Sequence, residues 1–340
     1  MSATIQFPAS PDIRSALRFF DTLNEIDSEQ ELNIDFRNMG RTEPFTLIFI
    51  SRAIREYNRR NIDTKIFCSN FKDKTYPANM GFFQSFGLPF GKKPGDALGS
   101  RTYLPITVTA VQNIIDEALE TWEPDQNIVE RNAEKLAAIL SRSSSEEVKK
   151  TLAYSITEII RNIVEHSKSK DIMFSAQYWK TYNKVEISVL DSGIGLKQSF
   201  ETNPYVSPAN DIEAIQLAMM PGISSKFYKG VKPDRNDKWQ NSGFGLYMLS
   251  RLSRNGGEMA VVSGNHGILQ DHSNGKEHFP LKTHFQGTAV KIVLEADKIH
   301  NLHNLQLKFR EEGWKIAKEI EGVGNIDSAK ASQLITRDFC

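Results

Sequence analysis

Between residues 148 and 163, the apolar side chains Val148, Leu152, Ile156, Ile159, Ile160 and Ile163 recur at helical spacing, and two strand-like runs follow at once. A stripe of this kind is one face of a helix and must bury against another element. The runs at 172–179 and 185–190 are rich in β-branched and aromatic residues, so a sheet is the nearest partner in sequence. Further strands are expected at 259–262 and 289–294, with a helix at 246–254 between them. Helices over a several-stranded sheet make a two-layer α/β sandwich. Ser144 with Glu147 fits a capping box at the start of the long helix, which runs to about His166.

The first hundred residues follow a different rhythm. Residues 32–36 alternate with period two, and residues 64–68 read as a second strand. Between them, Phe45, Ile48, Phe49, Ala53, Ile54 and Tyr57 lie at helical spacing, and the segment ends in Arg59 and Arg60. Strand, helix and strand in that order predict a small α/β domain over 1–105, closed by a Gly- and Pro-bearing loop at 87–100. Residues 106–143 are expected to be a helical connector, broken at Pro124. From 116 to 135 it carries seven acidic residues against two basic, either a solvated helix face or a partner-docking surface. A second domain is expected over 144–296 and a helical, mixed-charge tail over 297–340.

Composition narrows the function classes. The chain has 340 residues, with 42 Lys and Arg against 42 Asp and Glu. A zero net charge argues against indiscriminate nucleic-acid binding, and no apolar run approaches the ~18 residues that span a bilayer. Two cysteines, Cys68 and Cys340, supply no disulfide framework, and the first ten residues lack a signal-peptide layout. A cytoplasmic protein with no membrane partner and no specific nucleic-acid partner is the expectation.

Four short motifs of the second half carry chemistry. Glu158 and Asn162 are four apart, so a carboxylate and an amide share one helix face, with His166 a turn further. An amide oxygen suits Mg²⁺, and a neighbouring carboxylate can orient or deprotonate water. Such pairs also occur on ordinary solvated helix faces. Asp191-Ser192-Gly193-Ile194-Gly195 follows an apolar strand directly. A carboxylate there can accept a hydrogen bond from an exocyclic amino group such as that of adenine, and the glycines permit close approach of a flat ligand. A simple Asp-Ser-Gly turn fits the same residues. Gly243 and Gly245 sit in a turn that enters a helix, where free N–H groups favour phosphate oxygens, although a plain glycine-rich connection reads alike. Gly287-Thr288 opens the last strand and places a hydroxyl at its start.

Taken in order, these motifs resemble the GHKL superfamily, whose Bergerat-fold ATP-binding module occurs in histidine kinases, anti-sigma kinases, gyrase, Hsp90 and MutL. The resemblance covers about residues 145–295. It implies Glu158 as general base where hydrolysis occurs, Asn162 as Mg²⁺ ligand, and Asp191 as acceptor of the adenine amino group. Gly193 and Gly195 would lie beneath the base, Gly243 and Gly245 would meet the phosphates, and Thr288 would support the adenine through water or the Asp191 carboxylate. Asn241 stands where the family's longer glycine turn usually has Gly, and Asn tolerates positive φ better than most residues. Residues 221–240 would form the lid over ATP. They carry Lys226, Lys229, Lys232, Arg235 and Lys238 against Asp234 and Asp237, as a solvated basic loop or as the source of a cation for the γ-phosphate.

Competing sites score poorly. Gly87, Gly91 and Lys92 have the wrong spacing for a phosphate loop. His266, His272, His278 and His284 fall six apart with no Cys and no zinc spacing, and His300 and His303 read as surface residues of the tail. The first histidine, His166, already lies inside the nucleotide-binding region, which argues against histidine autokinase activity. The front domain looks like a STAS domain, the fold of anti-anti-sigma factors, over about residues 30–105. Its helix start, residues 40–45, offers only Thr42 as a hydroxyl, with Glu43 and Pro44 after it, and Thr42 reads as a helix-start residue. Three functions follow: a regulatory ATPase with ATP and Mg²⁺, an anti-sigma-type Ser/Thr kinase, or a non-catalytic nucleotide sensor. A protein partner would dock on the STAS-like domain or the acidic connector, and homodimerisation would accompany ATP binding.

Overall fold

The computed structural model describes residues 2–10, 12–26, 31–97, 99–100, 102–121, 125–140, 146–231, 243–272, 275–298 and 302–323. The expected cap at Ser144, the break at Pro124, His300 and Cys340 lie outside the described residues. In chain order the front half contains β1 (Ser2–Gln6), α1 (Ile13–Asn24), β2 (Glu31–Asp35), α2 (Pro44–Arg60) and β3 (Lys65–Ser69). Short helices α3 (Thr75–Asn79) and α4 (Phe82–Ser85) follow, then β4 (Tyr103–Ala110). The back half contains α5 (Val111–Thr121), α6 (Asp125–Leu140), α7 (Glu146–Asn162), β5 (Asp171–Trp179), β6 (Lys184–Asp191), α8 (Gly195–Ser199) and α9 (Asp211–Ala218). It closes with α10 (Gly245–Arg254), β7 (Gly257–Asp271), β8 (Lys276–Glu295) and α11 (Leu302–Glu319).

The fold is mixed α/β with two sheets. β1, β2 and β3 pair in parallel, and β4-β5-β6-β8-β7 form an antiparallel sheet. The strands and helices expected at 32–36, 45–57, 64–68, 172–179, 185–190, 246–254, 259–262 and 289–294 are all present, several of them longer. Residues 106–110 depart from the expected helical connector. Together with 103–105 they form β4, which adds to the edge of β5 in the register Val108↔Met173 and Ala110↔Asp171. Two elements ahead of the first expected strand, β1 and α1, also complete the front layer.

Both faces of the five-stranded sheet are covered. On one face, α7 presents the stripe read from the sequence, and Ile159, Ile163, Val189, Val261, Val290 and Ile292 share a core with α6, α9, α10 and α11. On the other, Met173, Leu190, Ala260, Val262 and Ala289 pack against α1 and α2, whose opposite sides carry the parallel sheet through Ile5, Leu32 and Ile34. α2 therefore lies between two sheets. That placement accounts for its composition: every residue from Pro44 to Ile54 is buried, and a helix that is apolar all round is stable only inside a core.

A buried charge cluster joins the layers. Lys291 on β8 lies 2.8 Å from Glu258, 3.0 Å from Glu43 and 3.8 Å from Glu186, and Glu186 also accepts from the Phe45 N–H at 2.8 Å. Burial pushes the Glu186 carboxyl up to about 7, with the Lys291 cation opposing it. Burial also disfavours charge on Lys291, but its carboxylate neighbours win and raise its pKa. Arg41 stacks over both Trp179 and Tyr182 at 5.1 Å. The loop at 40–45 is thus docked on the large sheet. Thr42, expected as a helix-start residue, is buried at 3% exposure, and Glu43 takes the N-cap position.

Candidate functional site

A cleft lies between α7, the end of β6, α8, β8 and the start of α10, with a volume of about 770 Å³ including its open mouth. Asn162, Asp191, Gly195, Gly243, Gly245 and Thr288 all line it. Six of the eight residues singled out from four separate stretches of sequence therefore meet at one place. Gly193 and Glu158 are set behind its wall.

Asp191 is the last residue of β6 and is 1% exposed. Its Oδ1 accepts from the Gly193 N–H at 2.7 Å, and burial raises its pKa to about 7 against the N–H groups of Gly193 and Thr288, which favour the charge. A carboxylate in an apolar wall that keeps only backbone partners is well suited to an additional donor. The turn that follows is pinned from two sides. The Ile194 N–H donates to the Ser167 carbonyl at 2.8 Å, and a methyl at Gly193 would lie 2.0 Å from that same carbonyl oxygen. Only glycine allows the two segments to cross.

Thr288 reaches the cleft from the register that pairs Leu190 with Ala289. Ser263, on the adjacent β7, ties the site together. Its Oγ accepts from the Leu196 N–H at 3.0 Å and donates to the Gly287 carbonyl at 2.9 Å. No local pattern pointed to Ser263, because it sits in mid-strand among apolar neighbours and its partners are supplied by β8 and α8.

Asn162, also in the cleft wall, closes α7 and is followed by a π-helical turn, Ile163–Ser167. Such single turns inside helices recur at functional sites because they displace side chains from the helical register. Here the turn brings His166 to the wall, where Nδ1 and Ser225 Oγ are 2.9 Å apart. Burial, with Lys226 and Arg161 nearby, depresses the imidazole pKa to about 3, so His166 is neutral and its 3.6 Å approach to Glu165 is no ion pair. α10 begins at Gly245 without a side-chain cap, and its dipole favours an anion at that end.

Glu158 differs from its expected setting. Its Oε2 accepts from Arg161 Nη2 at 2.7 Å, and both side chains are 4% exposed. Burial raises its pKa, opposed by Arg161. A methyl at Gly245 would lie 2.1 Å from Oε2, so the carboxylate is packed against the start of α10 rather than presented to the cleft. Arg161 was visible in the sequence as the residue between Glu158 and Asn162; its pairing was not. Of the expected lid, Lys226 and Lys229 are described, while Lys232, Arg235 and Lys238 lie outside the described residues, as does Asn241 at the start of the glycine turn. No family model matches the chain, and no curated protein matches it. Among the described residues no helix is long and apolar enough to cross a membrane.

Proposed function

We propose that the chain is a GHKL-type regulatory protein that binds ATP with Mg²⁺ in this cleft and hydrolyses it. The observation that carries the reading is the convergence of these residues on one cleft. Asp191, Thr288, Asn162, Gly243 and Gly245 line it together with the apolar side chains of Ile159, Val189, Leu196, Phe200, Ile223 and Val290. A purine base fits the walls, its amino group meets Asp191, and phosphates meet the helix N-terminus.

The residues also fit the metal. Mg²⁺ characteristically takes few protein ligands beside substrate phosphates and water, and the Asn162 amide lines the cleft. Asn162 is the residue that would hold it, and the ion would neutralise charge developing on the phosphates. Asp191 orients the base, α10 orients the phosphates, and Glu158 is the candidate to take the proton of the attacking water. The five-stranded antiparallel sheet under α7 and α10 is the layering this reading requires, and a STAS-like identity for the front layer belongs to the same proposal.

One observation favours a second reading. Glu158 is held by Arg161 behind the wall, so water activation is not preformed, whereas transfer to a protein hydroxyl depends largely on positioning. In that reading the chain is a protein Ser/Thr kinase. Thr42 is buried and is not presented as an acceptor.

A fluorescent ATP analogue with Mg²⁺ tests the site. The parent binds, Asp191→Asn loses binding, and Glu158→Ala binds but does not turn over. An Asp191→Asn variant that binds as tightly as the parent refutes the assignment. Radiolabelled γ-phosphate in cell extract separates the activities: free phosphate alone supports the ATPase, and labelled protein supports the kinase.

A further inference from the structure

Arg161 stands between two carboxylates. Its Nη2 donates to Glu158 at 2.7 Å, and its Nε lies 3.8 Å from Glu165 Oε1. Glu158 is as buried as Arg161, while Glu165 is 17% exposed and sits within the π-helical turn. Asn162, the next residue, lines the cleft, and neither Glu158 nor Arg161 does. The candidate proton acceptor thus sits beside Gly245 of the cleft wall and is held out of the cleft itself.

A buried carboxylate does not leave a guanidinium cheaply, because the separation strands a charge in a low-dielectric interior. It leaves readily only if the cation finds a second partner in the same step. Glu165 is that partner: it is one turn further along the helix, already faces Nε, and belongs to a turn whose register differs from the helix before it. A one-residue shift of the π-helical turn changes the distance from Glu165 to Arg161 without unfolding α7.

We propose that Arg161 is a positioning residue for the hydrolytic step, holding Glu158 off the cleft in the resting chain and releasing it by passing to Glu165. The inference rests on the ATPase reading above. Once released, Glu158 accepts the proton of a water whose oxygen bonds to the γ-phosphorus as the bond to the β–γ bridging oxygen breaks, leaving ADP and inorganic phosphate. The exchange keeps Arg161 paired throughout, so the resting chain is a slow ATPase whose rate is set by the handover.

Two variants test it, measured in the full chain by steady-state turnover and by binding of the fluorescent ATP analogue. Glu165→Gln removes the receiving carboxylate, so kcat falls about tenfold, the equivalent of one charge-assisted hydrogen bond, while KM and analogue affinity stay within about twofold. Arg161→Lys keeps the charge but loses the two-sided grip, so kcat rises about threefold at unchanged affinity. A merely structural pair would alter stability and leave the kcat-against-KM split alone. Unchanged kcat in Glu165→Gln, with the parent binding and turning over ATP, overturns the handover. A parent that fails to bind the analogue refutes instead the function proposed for the cleft.

Discussion

Asp191→Asn separates the burial of this carboxyl from everything else in the molecule. Asn keeps the shape and one acceptor oxygen but does not titrate. In the folded chain the Asp191 pKa is raised from 3.8 to about 7 by burial. Between those values the folded state holds a proton that the unfolded chain has released, so the stability of the parent falls as pH rises from about 4 to about 7 and is flat on either side. The full shift corresponds to about 4 kcal/mol at 1.36 kcal/mol per tenfold change in proton affinity, and roughly 2–3 kcal/mol of it falls between pH 5 and pH 8. The variant does not titrate at this position. Its unfolding free energy, relative to the parent, should therefore grow by roughly 2–3 kcal/mol from pH 5 to pH 8. Urea unfolding followed by tryptophan fluorescence at the two pH values measures this directly. Glu186, also raised to about 7, titrates in both proteins and cancels in the difference. Parallel stability profiles, agreeing to within about 0.5 kcal/mol, would show that Asp191 is not a desolvated carboxyl and remove the reason for a ligand donor there. The same substitution is expected to stabilise the apo chain at pH 8 and abolish nucleotide binding, the opposition characteristic of functional sites.

Gly245→Ala places a methyl 2.1 Å from Glu158 Oε2, so the buried ion pair must shift; thermal unfolding should show a loss of about 1–3 kcal/mol, with weaker binding of the ATP analogue. Lys291→Met leaves Glu186, Glu43 and Glu258 without their shared cation. The expected loss is about 3–5 kcal/mol at pH 8, measured by denaturant unfolding. It should shrink at pH 5, where Glu186, with its pKa near 7, is neutral and needs no cation. An equal loss at both pH values would contradict the assigned charge state.

The legible parts of this protein are those whose signal is local. The α7 stripe repeats at helical period, and the apolar run that ends in Asp191 and the glycine turn before α10 are likewise contained within one segment; each is found where the sequence predicts it. β4 escaped because its partner, β5, lies more than sixty residues away and only three of its own eight residues are buried. The run of apolar residues from Phe45 to Ile50 identified a core helix without revealing that two sheets enclose it. Lys291 reads locally as the solvated face of a strand, and it is buried because α2 brings Glu43 over that face.

Sequence alone determined which residues could serve a nucleotide, since hydrogen-bonding type, glycine freedom and helix spacing belong to the residues themselves. Tertiary structure alone decided what state those residues rest in. Asp191 is buried at a cleft whose walls come from α7, β6, α8, α10 and β8, Ser263 ties together α8 and β8, which are distant in sequence, and Glu158 faces Arg161 rather than the cleft. The reason is physical: burial and charge pairing depend on which surfaces meet, and no period within one segment records the face that another segment will cover.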